Sequence, residues 1–373
     1  MILRPDQYVG IVTYASDGNA RTISGLNFQP DLVWQKQTTS GDSDRHFLTD
    51  SVRGAGTALR SDTTAADASS DAVASFTSDG WTIGSGSGNA NQNTKSYVAW
   101  AWKAGGNKNI FNVDDVGYAT AAAAGITGLD GTNQMTTAKY LGCSIGTKQG
   151  FSIIKYNGLG GSNDVAIPHG LSQSPDLVIV KNLTDDISWA VAHSGFVDNR
   201  ELHLDTDESS TSVAFLGLYK SNFTSTSFAV NYGASNLNYV NASGKDYIAY
   251  VWHNVDGLQK FGFYKGNQNA DGVYVELGFR PKLVWIKAVS VGGSGYSWYI
   301  HDSERSKFNP TKLDLKADSN ANNVTTTRFD FLSSGFKIRG ANLDMNDSGE
   351  RFIYCAWAEA PTVDLFGGGA NAR

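Results

Sequence analysis

The sequence predicts an all-β protein built as three tandem, homologous antiparallel β-sandwich domains of jelly-roll or lectin-like type, and three observations carry that prediction. A proline-led strand recurs as Pro30-Asp31-Leu32-Val33-Trp34-Gln35-Lys36, Pro175-Asp176-Leu177-Val178-Ile179-Val180-Lys181 and Pro281-Lys282-Leu283-Val284-Trp285-Ile286-Lys287, with Gly25, Gly170 and Gly278 just upstream. An aromatic strand closes each unit, with Tyr97, Trp100 and Trp102 in the first, Tyr247, Tyr250 and Trp252 in the second, and Phe352, Tyr354 and Trp357 in the third. Turn signals fall about every 8 to 12 residues, and no helical period is sustained between them. A unit of roughly 105 residues is domain-sized rather than solenoid-sized. The expected boundaries are 1–105, a linker or insertion at 106–149, 150–256, and 257–373 with a short C-terminal tail.

Each unit opens with a strand, Tyr8–Tyr14, Phe151–Tyr156 or Phe261–Tyr264. A turn rich in Gly and Asn follows, made of residues that tolerate positive φ in a hairpin connection. Pro30, Pro175 and Pro281 then stand at a strand start, where a missing N–H does not interrupt the ladder. Further strands are expected around His46–Asp50, Trp189–His193 and Trp298–Asp302, and in a leucine strand after each. Phe76-Thr77-Ser78-Asp79-Gly80-Trp81 reads as a hairpin, because Asp-Gly lies between apolar positions. The segment 106–149, with its Gly-Gly and Asp-Gly pairs, reads as a partly ordered linker that packs on a neighbouring subunit.

Composition narrows the function classes. A net charge of -6 and a pI near 5.5 offer no basic face for a nucleic-acid backbone, so no nucleic-acid partner is expected. No apolar stretch reaches membrane-spanning length, so no membrane insertion is expected, and the N-terminus lacks a Sec-type signal. Cys143 and Cys355 do not form a disulfide framework.

No catalytic constellation is legible. The six histidines lack metal-ligand spacing, and Asp344–Glu350 lacks the remaining ligands of a calcium loop, so no metal or cofactor is expected. The Gly-rich stretches 84–88 and 292–295 have no phosphate-loop lysine and read as flexible loops. Two groups remain as candidate ligand-binding residues. Trp81, Trp189 and Trp298 lie near turns, where an exposed indole can stack on a sugar ring. Asp50 and Arg53, and again Asp302 and Arg305, recur as Asp-Ser-x-Arg; they can hold a polar ligand, though an Asp-capped turn paired to its Arg explains the duplication with less.

The segments 28–36, 50–56, 76–84, 96–109, 111–119, 144–156 and 351–361 together resemble virion proteins of marine tailed bacteriophages, a family of tail-fibre and other structural proteins. The resemblance runs from about Tyr8 to about Pro361. The second unit departs from the pattern, with Ile179 where the other units have Trp, and no Asp-Ser-x-Arg turn. The resemblance implies a non-enzymatic protein of the virion, assembled in the host cytoplasm and working as a homotrimer among other virion proteins. Within that class, a tail-fibre or receptor-binding component touching a host surface glycan is the first expectation. A capsid decoration or head-fibre protein is the second, and a glycan depolymerase the third.

Overall fold

The computed structural model describes residues 2–360 apart from 40–43, 86–89, 127–138, 162–163, 197–199, 201, 209–216, 219, 232–237 and 290–294. The C-terminal tail from 361 and most of the two Gly-rich stretches lie outside the described residues. The chain is nearly all β, arranged in several sheets.

One four-strand order appears three times. The opening strands (Val9–Ala15, Phe151–Asn157, Gln259–Lys265) pair with the closing strands (Ser96–Trp102, Asp246–Trp252, Arg351–Ala358). The closing strands pair in turn with the proline-led strands (Leu32–Gln37, Leu177–Asn182, Pro281–Ala288). Those pair with the middle strands (Phe47–Asp50, Ala190–His193, Tyr299–Asp302), and every pairing is antiparallel. A second set of shorter strands also recurs: Arg21–Ser24 on Gly80–Ile83, Val165–Pro168 on Ser227–Val230, and Asp271–Glu276 on Gly335–Arg339. The hairpin at Gly80 forms as expected, between Ser75–Thr77 and Gly80–Ile83. Gly80 and Gly335 recur because a Cβ there would stand 1.9 or 2.0 Å from the carbonyl oxygen of Ile23 or Val275 on the facing strand.

Strand periodicity explains the cores. Successive side chains alternate between faces, so Leu32 and Trp34 point one way and Val33 the other. In the closing strands Trp100 and Trp102, Tyr250 and Trp252, and Cys355 and Trp357 all enter a single core that draws residues from all three repeats. The opposite faces enter separate cores: Val33, Ala99 and Ala101 with Trp81; Val178, Ala249 and Val251 with Phe228; Val284, Ile286 and Ala356 with Phe336. Both faces of each central strand are therefore covered, which is why the proline-led strands read as continuous apolar runs. The largest core is common to the repeats, so they do not pack as an array of independent bodies.

At its centre Trp102, Trp252 and Trp357 form a closed triangle, with ring centroids 6.3, 6.2 and 5.4 Å apart and T-shaped geometry at every side. Trp285 joins it from above Trp357 at 4.7 Å and Trp102 at 5.8 Å. Edge-to-face packing sets the positive rim of one indole against the negative face of the next.

Within 106–149 the described residues include sheet strands where the turns suggest a linker. Phe111–Val113 and Val116–Tyr118 form a hairpin through Asp114 and Asp115, both at positive φ, and Tyr140–Gly146 pairs with the opening strand Phe151–Asn157. These strands extend the second sheet. A two-residue turn with positive φ at both positions matches the twist of a hairpin, and Gly142 and Gly146 inside Tyr140–Gly146 mask its strand character.

Trp357→Ala is expected to lower the unfolding free energy by about 3–5 kcal/mol and to do so in one transition for the whole chain. Guanidinium unfolding followed by fluorescence and by circular dichroism checks this; two separated transitions, one of them unmoved by the substitution, would show that the repeats unfold independently.

Candidate functional site

The structure brings the Asp-Ser-x-Arg residues inside, to the joints between repeats. Asp50 ends its middle strand, and its Oδ1 accepts the backbone N–H groups of Val52 and Arg53 at 3.0 and 2.8 Å. Arg53 Nε donates to Asp50 Oδ2 at 2.5 Å, Nη1 to Asp67 at 2.6 Å, and Nη2 to the Leu48 carbonyl at 2.7 Å. The Tyr250 hydroxyl of the second repeat completes the cluster, donating to Asp50 Oδ2 at 2.8 Å. Burial works against the Arg53 charge, but Asp50 and Asp67 hold its pKa above the ordinary arginine range.

The third repeat repeats this geometry. Arg305 Nε donates to Asp302 Oδ2 at 2.5 Å and Nη2 to the Ile300 carbonyl at 2.9 Å, while Asn323 stands where Asp67 does. Here the donor from the next repeat is the Trp100 indole N–H, at 3.1 Å from Asp302 Oδ2. In the second repeat His193 occupies the aspartate position. Its Nδ1 accepts the Gly195 N–H at 2.8 Å, and its Nε2 faces the Tyr354 carbonyl of the third repeat at 3.1 Å. A carbonyl only accepts, so Nε2 carries the proton and the ring is neutral; burial pushes its pKa down to about 3.

The tryptophans proposed for sugar stacking are buried as well, which corrects that expectation. Trp81 lies in the core of the first repeat. Trp189 donates its indole N–H to the Arg60 carbonyl of the first repeat at 3.0 Å, and Trp298 to the His203 carbonyl of the second at 2.8 Å. His46 plays the same part in the first repeat: Nδ1 accepts the Trp34 indole N–H at 2.8 Å, and Nε2 meets the Lys316 and Ser319 carbonyls of the third. Burial holds His46 near 3. Six of the seven candidate residues thus serve interior joints and Trp81 the core of its own repeat; Arg53 and Asp50 expose 1% and 0% of their side chains.

Sequence reading missed three joint residues whose signal was visible, the lysines at the same position of each proline-led strand. Lys181 Nζ donates to the Thr64 carbonyl of the first repeat at 3.1 Å and to those of Asn182 and Ile187 at 2.8 Å. Lys36 reaches the Asn320 carbonyl of the third repeat at 3.2 Å, and Lys287 the Thr206 carbonyl of the second at 3.1 Å. Burial lowers each ammonium to about 8, so all three remain charged at neutral pH with carbonyl acceptors around them.

The Asp344 carboxylate accepts the Tyr299 hydroxyl at 2.8 Å and pairs with Arg328 at 3.0 Å. Among the described residues, no group of three His, Cys, Asp or Glu side chains is placed to hold a metal ion. Cys143 and Cys355 are buried, and burial pushes the Cys143 thiol up to about 12, away from nucleophilic reactivity. No helix among them is long and apolar enough to cross a membrane.

The surface offers open hollows instead. One of about 550 Å³ lies beside Phe308 and Lys312, and one of about 410 Å³ adjoins it across Asn309 and Pro310. A third, of about 420 Å³, is lined by Asp205, Asp207, Glu208 and Asp318 with Lys316.

Fold and interior together define an all-β chain of internal repeats closed on a common core, with its charged clusters used as joints. The chain belongs to the family described as a domain of unknown function, DUF7483, whose model matches residues 4–361. No curated protein matches it.

Arg53→Met is expected to cost about 3–5 kcal/mol, because it leaves the Asp50 carboxylate buried without its cation, and Asp50→Leu combined with Arg53→Met recovers part of that loss. Urea unfolding checks both; a single-variant loss below about 1 kcal/mol would remove the joint from the account. Stability should also fall as pH drops from about 6.5 towards 3. Both His46 and His193 have folded pKa values depressed to about 3, so the unfolded chain binds more protons across that window. Each contributes a slope of about 1.4 kcal/mol per pH unit, and His193→Gln should flatten the measured pH profile by about that amount.

Proposed function

We propose that this chain is a structural protein of a tailed-phage virion, a tail-fibre or receptor-binding component that contacts the host surface, built of three homologous β-sandwich units closed in a ring. The observation that carries it is the cyclic order of the joints. The first repeat donates into the third (Lys36 to Asn320, Trp100 to Asp302), the second into the first (Lys181 to Thr64, Tyr250 to Asp50), and the third into the second (Lys287 to Thr206, Trp298 to His203).

Each joint commits buried charge and hydrogen-bonding capacity to holding units together, and the polar loops are left outside. A rigid body that carries several sets of loops suits adhesion, in which multiple weak contacts add up. It suits catalysis less, because the ionisable groups described above are matched internally. The resemblance of the repeated segments to tailed-phage virion proteins supports the same role. The threefold arrangement expected of a homotrimer is here supplied by one chain, and the partners are other virion proteins and a host surface glycan.

Two measurements test this. Light scattering should give the mass of one chain, 40.0 kDa; three times that mass would return the threefold to an assembly of chains. Cryo-EM of the virion should place the protein at the tail with loops directed outward, whereas density on the capsid lattice would overturn adsorption in favour of decoration.

A further inference from the structure

The repeats match closely at their joints, and one difference falls where the third continues past its arginine. Leu59 and Leu315 sit opposite each other's counterparts, Leu48 and Ile300, yet four more residues separate Arg305 from Leu315 than separate Arg53 from Leu59. The added length falls in the loop Ser306–Pro310, which carries Phe308 at 81% exposure. An isolated exposed apolar residue is ordinary, but this loop is built to hold its aromatic out. The Asn309 amide clamps the Phe331 backbone from both sides, donating to its carbonyl at 2.6 Å and accepting its N–H at 3.0 Å. The Ser306 hydroxyl accepts the Lys312 N–H at 3.2 Å. Phe308 therefore projects from a pinned loop, its ordering cost met before any partner arrives.

The hollow beside it, of about 550 Å³, is lined by Arg305, Lys307, Phe308, Lys312 and Thr325 among others, and by no carboxylate, on a chain of net charge -6. Arg305 is matched by Asp302, and Lys312 brings a further cation to the rim. A neighbouring hollow of about 410 Å³ shares Asn309 and Pro310 with it and holds Asp330, which is paired to Arg339. An aromatic face takes the C–H face of a pyranose, a lysine takes an anionic substituent, and two hollows that share lining residues accept consecutive residues of a linear chain.

We propose that this groove binds an acidic polysaccharide, a linear polymer of uronic-acid or sulfated sugars. The assignment rests on the adsorption role proposed above and names the ligand class and the site. An acidic peptide would use the cations but not the flat aromatic face.

The test is titration calorimetry of the full chain with a polyuronate oligosaccharide, a sulfated oligosaccharide, a neutral β-glucan of equal length, and polyglutamate. The expected result is binding of one or both acidic glycans, weakened by salt. Phe308→Ala and Lys312→Glu should each reduce the affinity by about tenfold or more, with unchanged thermal unfolding because both side chains are exposed. Binding of neither acidic glycan, equal binding of the neutral glycan or of polyglutamate, or undiminished binding by both variants would overturn the proposal. Tail density without acidic-glycan binding would remove the groove alone; acidic-glycan binding by a protein found on the capsid would remove the adsorption role alone.

Discussion

Three indole rings at the end of three closing strands determine how the rest of this chain is arranged. Trp102, Trp252 and Trp357 meet edge to face, and each can do so only if its own strand turns the tryptophan face inward. Because a strand alternates, that choice fixes which residues face away: Ala99 and Ala101, Ala249 and Val251, Tyr354 and Ala356. A second layer must cover those residues, and the shorter strand pairs at Arg21–Ser24, Val165–Pro168 and Asp271–Glu276 supply it. A one-residue slip in any closing strand would exchange the two faces and replace its tryptophan at the common centre. Register is thereby specified from both sides of each sheet.

Closing three sheets on one core creates a polar problem at the joints, because strand ends and loop carbonyls that would meet water in a lone sandwich are covered by the next repeat. Each repeat meets that problem with donors from its neighbour, and what is preserved between repeats is the hydrogen-bonding role. Trp189 and Trp298 donate through an indole N–H, and His46 does the same through Nε2. Where the acceptor is an aspartate, the facing residue is Trp100 or Tyr250, each with one proton to give. Where that acceptor becomes His193, the facing position is Cys355, and the histidine makes its own bond to the adjoining Tyr354 carbonyl. The exchange of Asp for His is thus paired with the loss of the donor opposite it, which leaves neither a buried carboxylate unpaired nor a proton without an acceptor.

The repeat, the strand order within it and the hairpin at Gly80 were legible because each rests on local chemistry: a proline at a strand start, an Asp-Gly turn, a period of two. The joints were only half legible. Asp50 with Arg53 and Asp302 with Arg305 could be read as capped turns, since the pair lies within four residues, but their third partner comes from another repeat some two hundred positions away. Trp189 and Trp298 looked like surface platforms for the same reason. A tryptophan beside a turn is exposed in an isolated sandwich and covered in a closed ring, and nothing local distinguishes the two. Lys36, Lys181 and Lys287 announced themselves by recurring inside apolar strands, a position lysine occupies only with acceptors at hand. The strand Tyr140–Gly146 was hidden by its glycines, which weaken strand propensity while permitting close backbone approach: a Cβ at Gly146 would lie 1.9 Å from Gln149.

Internal repetition also separates constraint from freedom without any second sequence. Positions where the three repeats agree in role are those where a neighbour must be satisfied, and their side chains are buried. Positions where one repeat departs are released from that demand. The second repeat uses its release to add the strands Phe111–Val113, Val116–Tyr118 and Tyr140–Gly146 to its sheet edge, lengthening a surface that in the first repeat ends at Val9–Ala15. The third uses its release at Ser306–Pro310, where three side-chain hydrogen bonds anchor a loop whose tip is an exposed phenylalanine. Anchoring of that kind contributes nothing to closing the ring, and a loop needed only to connect two strands would be as short as its counterpart in the first repeat. Order held at the surface, beyond what the joints require, is the physical ground for locating recognition in the third repeat.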